Sequence, residues 1–348
     1  MHIPDGYLSP ATCTALYAAS APFWYTAAQR VKKALHTRLV PLLSLFAAFS
    51  FVIMMFNLPL PGGTTGHAVG IGLAAVVLGP WAAMLAVSVA LVVQALFFGD
   101  GGITAIGANC FNMAIAGALV AYAAYRLIAG RAPLASTRRV VAAGIAGYIA
   151  VNVSALLAAI EFGIQPMLYH TAAGAPLYCP YPLSVAVPAM MLGHLTIAGF
   201  AEAIVSAGVV AFLQRSEISL LKTTAPSAGQ PAGNGGLRAL RPLWGALAVL
   251  LVLTPLGILA AGSAWGEWMA SDYSNPQIRR QIADASLHQA PPAQAPEGLA
   301  RLSSVWTAPF ARYAPPYLRS AGLGYLLSAM FGVGAIVLLG AGAARLLR

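Results

Sequence analysis

The chain has 348 residues, of which 59% are hydrophobic and only 8% charged, and it carries a net charge of +10. Soluble domains hold roughly 25% charged residues, so water cannot solvate this surface throughout. That composition excludes a soluble globular protein, and the placement of the basic residues excludes a nucleic-acid binder.

In chain order, the opening Met1-His2-Ile3-Pro4-Asp5-Gly6 precedes an apolar stretch at 8–28, and the first basic residue is Arg30. A cleavable signal carries positive charge ahead of its apolar run. This order therefore predicts a retained helix with its N-terminus outside. Further apolar runs follow at 39–56, 68–97, 104–128, 140–162, 184–213, 242–262 and 320–344. Most have the roughly 20 residues needed to cross about 30 Å of hydrocarbon as a helix. Residues 68–97 are interrupted by Leu78-Gly79-Pro80-Trp81, and Gly-Pro favours a turn, so two short helices are expected there. The predicted fold is an all-α polytopic transmembrane bundle of about nine spans, N-terminus outside and C-terminus cytoplasmic.

Charge supports that orientation. Of the 19 basic residues, Arg279, Arg280, Arg301 and Arg312 fall in an outer loop at 263–318 and Arg319 directly follows it on the outer side, while the other 14 fall on the inner side. Lys and Arg concentrated in short inner loops orient a membrane protein. Residues 223–237, small, polar and rich in Gly and Pro, read as a flexible cytoplasmic linker. It divides a membrane core at 1–222 from a two-helix hairpin at 238–348. The cysteines Cys13, Cys110 and Cys179 form no CxxC pair and read as buried, inert thiols.

The chemistry concentrates at the start of the chain. A free α-amine at Met1, the amide nitrogen of His2 and its imidazole Nδ1 can close a five- and then a six-membered chelate ring on one metal ion. Tetragonal nitrogen donors suit Ni²⁺ or Cu²⁺, with Co²⁺ close behind. Pro4 fixes its own φ and restricts Ile3, which stiffens the start. A fourth donor is available in His67, which ends the Gly-rich segment Asn57–His67 on the same expected side. That segment and Gly99-Asp100-Gly101-Gly102 suggest an outward-opening cavity, since irregular backbone at membrane depth must be buried or line a wet space. Ordinary surface turns, a loop histidine and a chance early histidine are the bland readings of these features.

Other polar residues have weaker claims. Asp100, Asn109, Thr64 and Thr65 are candidates to orient the ligands, with Asn109 and Asn112 expected to hydrogen-bond to Asp100. His194 and Glu202, eight residues apart in one apolar span, fit helix packing better than ligation, although ionisable groups inside a membrane are often functional. His36, His170 and His288 read as solvated loop histidines. There is no GxxxxGK[ST] and no Gly-Lys pair, so the chain has no P-loop and is not itself an ATPase of that class.

The segments MHIPDGYLSP, NLPLPGGTTGHAVG, FGDGGITAIGANCFNMA and GHLTIAGFAEA together resemble the CbiM/NikM family, the substrate-binding components of energy-coupling-factor importers for cobalt and nickel. The match spans most of residues 1–215. It implies a square-planar nitrogen site made of the Met1 amine, the amide and imidazole of His2, and His67. Ni²⁺ or Co²⁺ would be cargo, with no catalytic cofactor. The implied partners are a transmembrane coupling subunit and cytoplasmic ATPase subunits, in a cell membrane and without nucleic acid. The tail, with TPLGILAAGSAWGEW and PEGLARLSSVW, resembles the auxiliary extension fused to many such components, similar in plan to a CbiN/NikN-like subunit. A stand-alone secondary transporter or channel is the alternative; it would want ligands lining several spans, and only His194 and Glu202 lie within one. An intramembrane metalloenzyme would want an open coordination position, which a planar four-nitrogen site lacks.

Overall fold

The computed structural model describes residues 1–33, 39–224, 240–260 and 262–346. His36 and nearly all of the expected linker lie outside them; Thr223 and Thr224 close a short 3₁₀ segment at Ile218–Thr224.

Residues 1–9 form no regular element and are followed by α1 (Pro10–Lys33) and α2 (Leu39–Met54). A small antiparallel hairpin, β1 (Leu58–Leu60) and β2 (Thr64–Gly66), then turns through Gly62 and Gly63, both at positive φ. The apolar patterning gave no sign of this hairpin in an otherwise helical chain. Its three-residue strands are too short to show a period of two.

α3 (Ile71–Leu78) and α4 (Pro80–Val93) are separate helices. The break falls at Gly79, whose φ of 78° suits a residue without Cβ, and Pro80 opens the next helix at N1, where its missing N–H costs nothing. All eight residues of α3 are buried, so it is a short core helix about 12 Å long.

α5 (Ile106–Asn109) continues into α6 (Gly117–Ala129), and α7 (Thr137–Gly163) into α8 (Gln165–Leu168). α9 (Leu183–Gly193) leads into α10 (Gly199–Ser216). After the undescribed segment come α11 (Arg241–Leu253), the loop helices α12 (Pro276–Ala285) and α13 (Glu297–Leu302), and α14 (Ala321–Leu346).

Among the described residues six helical stretches are long and apolar enough to cross a membrane: Pro80–Phe98, Ile106–Ala129, Thr137–Leu168, Leu183–Ser216, Arg241–Leu259 and Ala321–Ala343. α2 is a shorter apolar helix. α1 has the length but is not among the six, because Thr12, Thr14, Ser20, Thr26 and Gln29 dilute its apolar residues.

Three of these stretches widen into π-helical turns, at Gln94–Phe98, Cys110–Ala116 and His194–Ala198. π turns recur at functional sites because the extra residue re-aims side chains. The first two adjoin the polar cluster described next.

Small residues bring the central helices together. A Cβ on Gly72 of α3 would lie 2.5 Å from the Cα of Gly147 of α7. The loop between α11 and α14 folds over the end of the bundle that carries residues 1–9: Tyr7 donates to the Trp268 carbonyl at 2.8 Å, and a Cβ on Gly6 would meet the backbone of Leu299 at 2.8 Å.

Candidate metal site

The first residues form an extended strap driven into the end of the bundle. Met1, His2 and Ile3 are all buried, at 2%, 0% and 0% exposure. Burying backbone polar groups requires partners, and the strap finds them on α5 and the loop before it. Ile3 donates to Asn109 Oδ1 at 2.8 Å, and its carbonyl accepts from Asn109 Nδ2 at 3.1 Å and from the Gly102 amide at 2.9 Å. Asp5 accepts from the amides of Ile103 and Thr104, at 3.1 and 2.8 Å, and from the Thr104 hydroxyl at 2.5 Å.

The strap presents its nitrogens to two carboxylates. The Met1 amine lies 3.5 Å from Glu267 Oε1, and the His2 amide donates to the same oxygen at 3.1 Å. His2 Nδ1 donates to Asp100 Oδ1, while its Nε2 is buried with no partner. Asp100 Oδ2 also accepts from the Tyr313 hydroxyl at 2.6 Å and from Gln94 Nε2 at 3.2 Å. Asp100 sits between Gly99 and Gly101, both at positive φ, which turns its side chain back toward the strap.

His67 completes the cluster. Its ring centroid lies 5.0 Å from that of His2, with the planes 60° apart. Its Nδ1 is bonded to the Ala68 carbonyl at 3.1 Å, an arrangement that leaves Nε2 as the ring's lone-pair donor. Beside it lies a cavity of about 730 Å³ lined in part by His67, Asp100, Glu267, Trp268, Arg312 and Tyr313.

The charges suit a cation. Burial, reinforced by His2 and the amino terminus, holds His67 well below its ordinary pKa, so the ring is neutral and free to ligate. Burial by itself pushes the Asp100 carboxyl up, but the His2 ring and its hydrogen bond outweigh burial and hold Asp100 below the usual carboxylate range. Burial raises Glu267, with the amino terminus opposing it.

Acid should therefore loosen this end of the fold. Unfolded His67 takes up a proton as pH falls below its ordinary value of 6.5, while the buried ring does not, so the unfolded state binds more protons there. The stability from burying neutral His67 is present above pH 6.5 and is lost below it. The apparent melting temperature in detergent should drop between about pH 7 and pH 5, and His67→Phe should flatten that drop.

The other sequence candidates separate. Asn109 bonds to Ile3 and Asn112 to Glu161 Oε2 at 2.8 Å, so neither bonds to Asp100 as the sequence suggested. Their π-helical and α-helical neighbours rotate them toward the strap and α7 instead. Thr64 bonds to the Pro61 carbonyl at 3.3 Å, and the Thr65 amide to the Ser263 carbonyl at 3.2 Å, so both serve the loop backbone. His194 Nδ1 bonds to the Met190 carbonyl at 2.8 Å, and Glu202 bonds to the backbone after His67, so the two share no partner. His170 and His288 are exposed loop residues, and the three cysteines are free and buried.

Glu267 and Tyr313 escaped the sequence reading, although Glu267 stands in the quoted AGSAWGEW segment between two tryptophans. Among the described residues no three His, Cys, Asp or Glu side chains are grouped to hold a metal. The Met1 amine and the His2 amide both face Glu267 Oε1.

Comparison with known proteins bears on this geometry. Residues 2–220 match the family model described as CbiM, cobalt uptake substrate-specific transmembrane region, and residues 241–348 match the PDGLE domain. The chain is 58% identical over 337 residues to the fused nickel transport protein NikMN of Rhodobacter capsulatus, covering 97% of this chain and 95% of that one. It is 32% identical over 278 residues to the cobalt transport protein CbiM of Geobacter sulfurreducens, covering 76% and 74%. A crystal structure titled as a truncated transition metal transporter superposes with a TM-score of 0.59 at 51% identity, covering 62% of this chain and 99% of that one.

Proposed function

The chain belongs to the CbiM family, with a PDGLE domain after it, and from that premise we propose that it is the substrate-binding membrane component of an ATP-driven importer of Ni²⁺ or Co²⁺. The ion is captured by four nitrogens: the Met1 amine, the His2 amide, His2 Nδ1 and His67 Nε2. The observation that carries this reading is that the first three already point at carboxylate oxygens, with the His67 ring 5.0 Å from that of His2. On binding, the Met1 ammonium and the His2 amide each release a proton to a base or to solvent and the His2 ring frees Nδ1 by carrying its proton on Nε2, so capture is favoured by rising pH. Asp100 and Glu267 supply negative charge where the cation and the leaving protons meet.

The nine membrane segments are α1, α2, α3, α4, α5–α6, α7–α8, α9–α10, α11 and α14. With the N-terminus outside, as the basic residues favour, the strap, His67, Asp100 and the loop carrying Glu267 lie on the outer side and the C-terminus inside. Their mutual contacts require them to share one side. The core at 1–222 holds the metal; the hairpin at 238–348 lays Glu267 and Tyr313 against it. This chain has no P-loop, so the energy for uphill transport comes from elsewhere, and the family it belongs to points to a coupling subunit and ATPase subunits as its source.

A stand-alone channel or secondary transporter fits less well. Within the spans Glu202 and Glu161 bond to backbone and amide partners, and His194, whose Nδ1 bonds to the Met190 carbonyl and whose Nε2 lacks a partner, does not by itself form a ligand track.

The test is equilibrium dialysis of the purified protein against Ni²⁺ and against Co²⁺. One ion per chain is expected, with His67→Ala lowering affinity at least tenfold, a loss of about 1.4 kcal/mol. A wild-type protein that retains neither ion would overturn the reading.

A further inference from the structure

Glu202 lies on α10, far in sequence from the strap, yet its carboxylate is fully buried against the segment that follows His67. Oε2 accepts from the amides of Val69 and Gly70 at 2.7 and 2.8 Å, and Oε1 accepts from the amide of Gly72 at 3.0 Å. These are N–H groups at the start of α3, where helical amides lack intrahelical partners. Such amides are commonly capped by a local Ser, Thr, Asp or Asn. Here the N-cap is Gly70, at φ 76°, which has no side chain to do so. The cap comes instead from another membrane helix.

α10 can deliver it because α7 yields space. A Cβ on Gly147 would lie 3.2 Å from Glu202 Cγ and 2.7 Å from Ser206 Oγ. The clamp is reinforced from the opposite side, where the Ser50 hydroxyl donates to the Val69 carbonyl at 2.7 Å.

We propose that Glu202 is a positioning residue for the metal site: by holding the amides of Val69, Gly70 and Gly72 it fixes the Ala68 carbonyl, and that carbonyl orients His67. The chain of contacts is continuous. Glu202 fixes the backbone, Ala68 accepts from His67 Nδ1 at 3.1 Å, and Nε2 is left as the donor of a ring 5.0 Å from that of His2. A group that sets the ring of a metal-ligating histidine through its second nitrogen typically changes affinity 10–100-fold when lost. Glu202 does this at one remove, across the interface between α10 and α3. The inference rests on His67 being a ligand.

Glu202→Gln removes the charge and turns an N–H₂ toward amides that need acceptors. The experiment measures Ni²⁺ affinity by chelator competition and the visible absorption band of planar Ni²⁺, in wild type, Glu202→Gln, His67→Ala and the double variant. Glu161→Gln, which alters another buried membrane carboxylate, is the control for general loosening. Glu202→Gln should lose 10–100-fold in affinity and shift the band, Glu161→Gln should change neither, and the double variant should match His67→Ala alone. An unchanged affinity and band in Glu202→Gln, or an equal further loss in the His67→Ala background, overturns the proposal. If His67→Ala holds no measurable Ni²⁺, the band of Glu202→Gln decides alone: shifted supports, unshifted overturns. Should Glu202→Gln fail to purify, Glu202→Asp, one methylene too short to reach all three amides, is read by the same criteria. Failure of wild type to bind either Ni²⁺ or Co²⁺ would instead overturn the four-nitrogen site itself.

Discussion

A chain extended by two residues ahead of Met1 is expected to lose Ni²⁺ capture almost entirely, by a hundredfold or more in affinity, about 2.7 kcal/mol. Two effects act together. The α-amine becomes an amide, so the five-membered chelate ring loses its first nitrogen. The extension also has nowhere to go: Met1 is 2% exposed and its amine faces Glu267 at 3.5 Å. Measuring bound Ni²⁺ per chain after desalting separates the outcomes. Loss of the ion with an unchanged melting temperature identifies the amine as a ligand. Retention at wild-type affinity would remove Met1 from the site and leave the two histidines to be explained some other way.

Gly102→Ala should be nearly as damaging, although residue 102 is not a proposed ligand. A Cβ there would lie 2.2 Å from the Asp5 amide nitrogen and 2.5 Å from Asp5 Oδ1, closer than any real contact. The Gly102 amide also holds the Ile3 carbonyl, so the strap is gripped on both sides of Pro4. The alanine forces residues 1–5 outward by an ångström or more. Overpacking of this kind costs about 1–3 kcal/mol in stability, and a strap displaced that far carries its three nitrogens away from His67, whose ring lies 5.0 Å from that of His2. Ni²⁺ affinity is expected to fall about a hundredfold, equivalent to roughly 2.7 kcal/mol. Gly208→Ala is the matched comparison: it lies in α10 with nothing within 4 Å of its added Cβ and should bind like wild type. Equal binding by both variants would show that the strap is not held against Gly102.

Much of the membrane bundle was legible because hydrophobicity is written locally. The apolar runs at 140–162 and 184–213 lie within helical stretches at 137–168 and 183–216, and the run at 104–128 overlaps that at 106–129 to within two residues. The break at Gly79-Pro80 follows from two residues whose backbone preferences need no tertiary context. His2, His67 and Asp100 could be singled out as candidates from their chemistry, since few residue types bind or orient a late transition metal, and the structure brings the three together.

Contacts made across long stretches of chain were not legible. Glu267 is 265 residues from His2, and its role exists only because the loop between α11 and α14 folds back over the strap. Tyr313 reaches Asp100 by the same route. Asn109 was singled out for its polarity, but its partner turned out to be the Ile3 backbone, because α5 faces the strap. Glu202 looked like a packing residue in an apolar helix; the absence of a side chain at Gly147 lets it reach α3.

By itself, then, the sequence determined which segments are apolar enough for lipid, where one of them breaks, and which residues are chemically able to bind a metal. Tertiary structure decided which carboxylates face those nitrogens and what holds His67 in place. The division is physical. Hydropathy, turn preference and donor chemistry are properties of single residues and their near neighbours. The partner of a buried polar group is set by whichever distant backbone the packing of helices brings within about 3 Å.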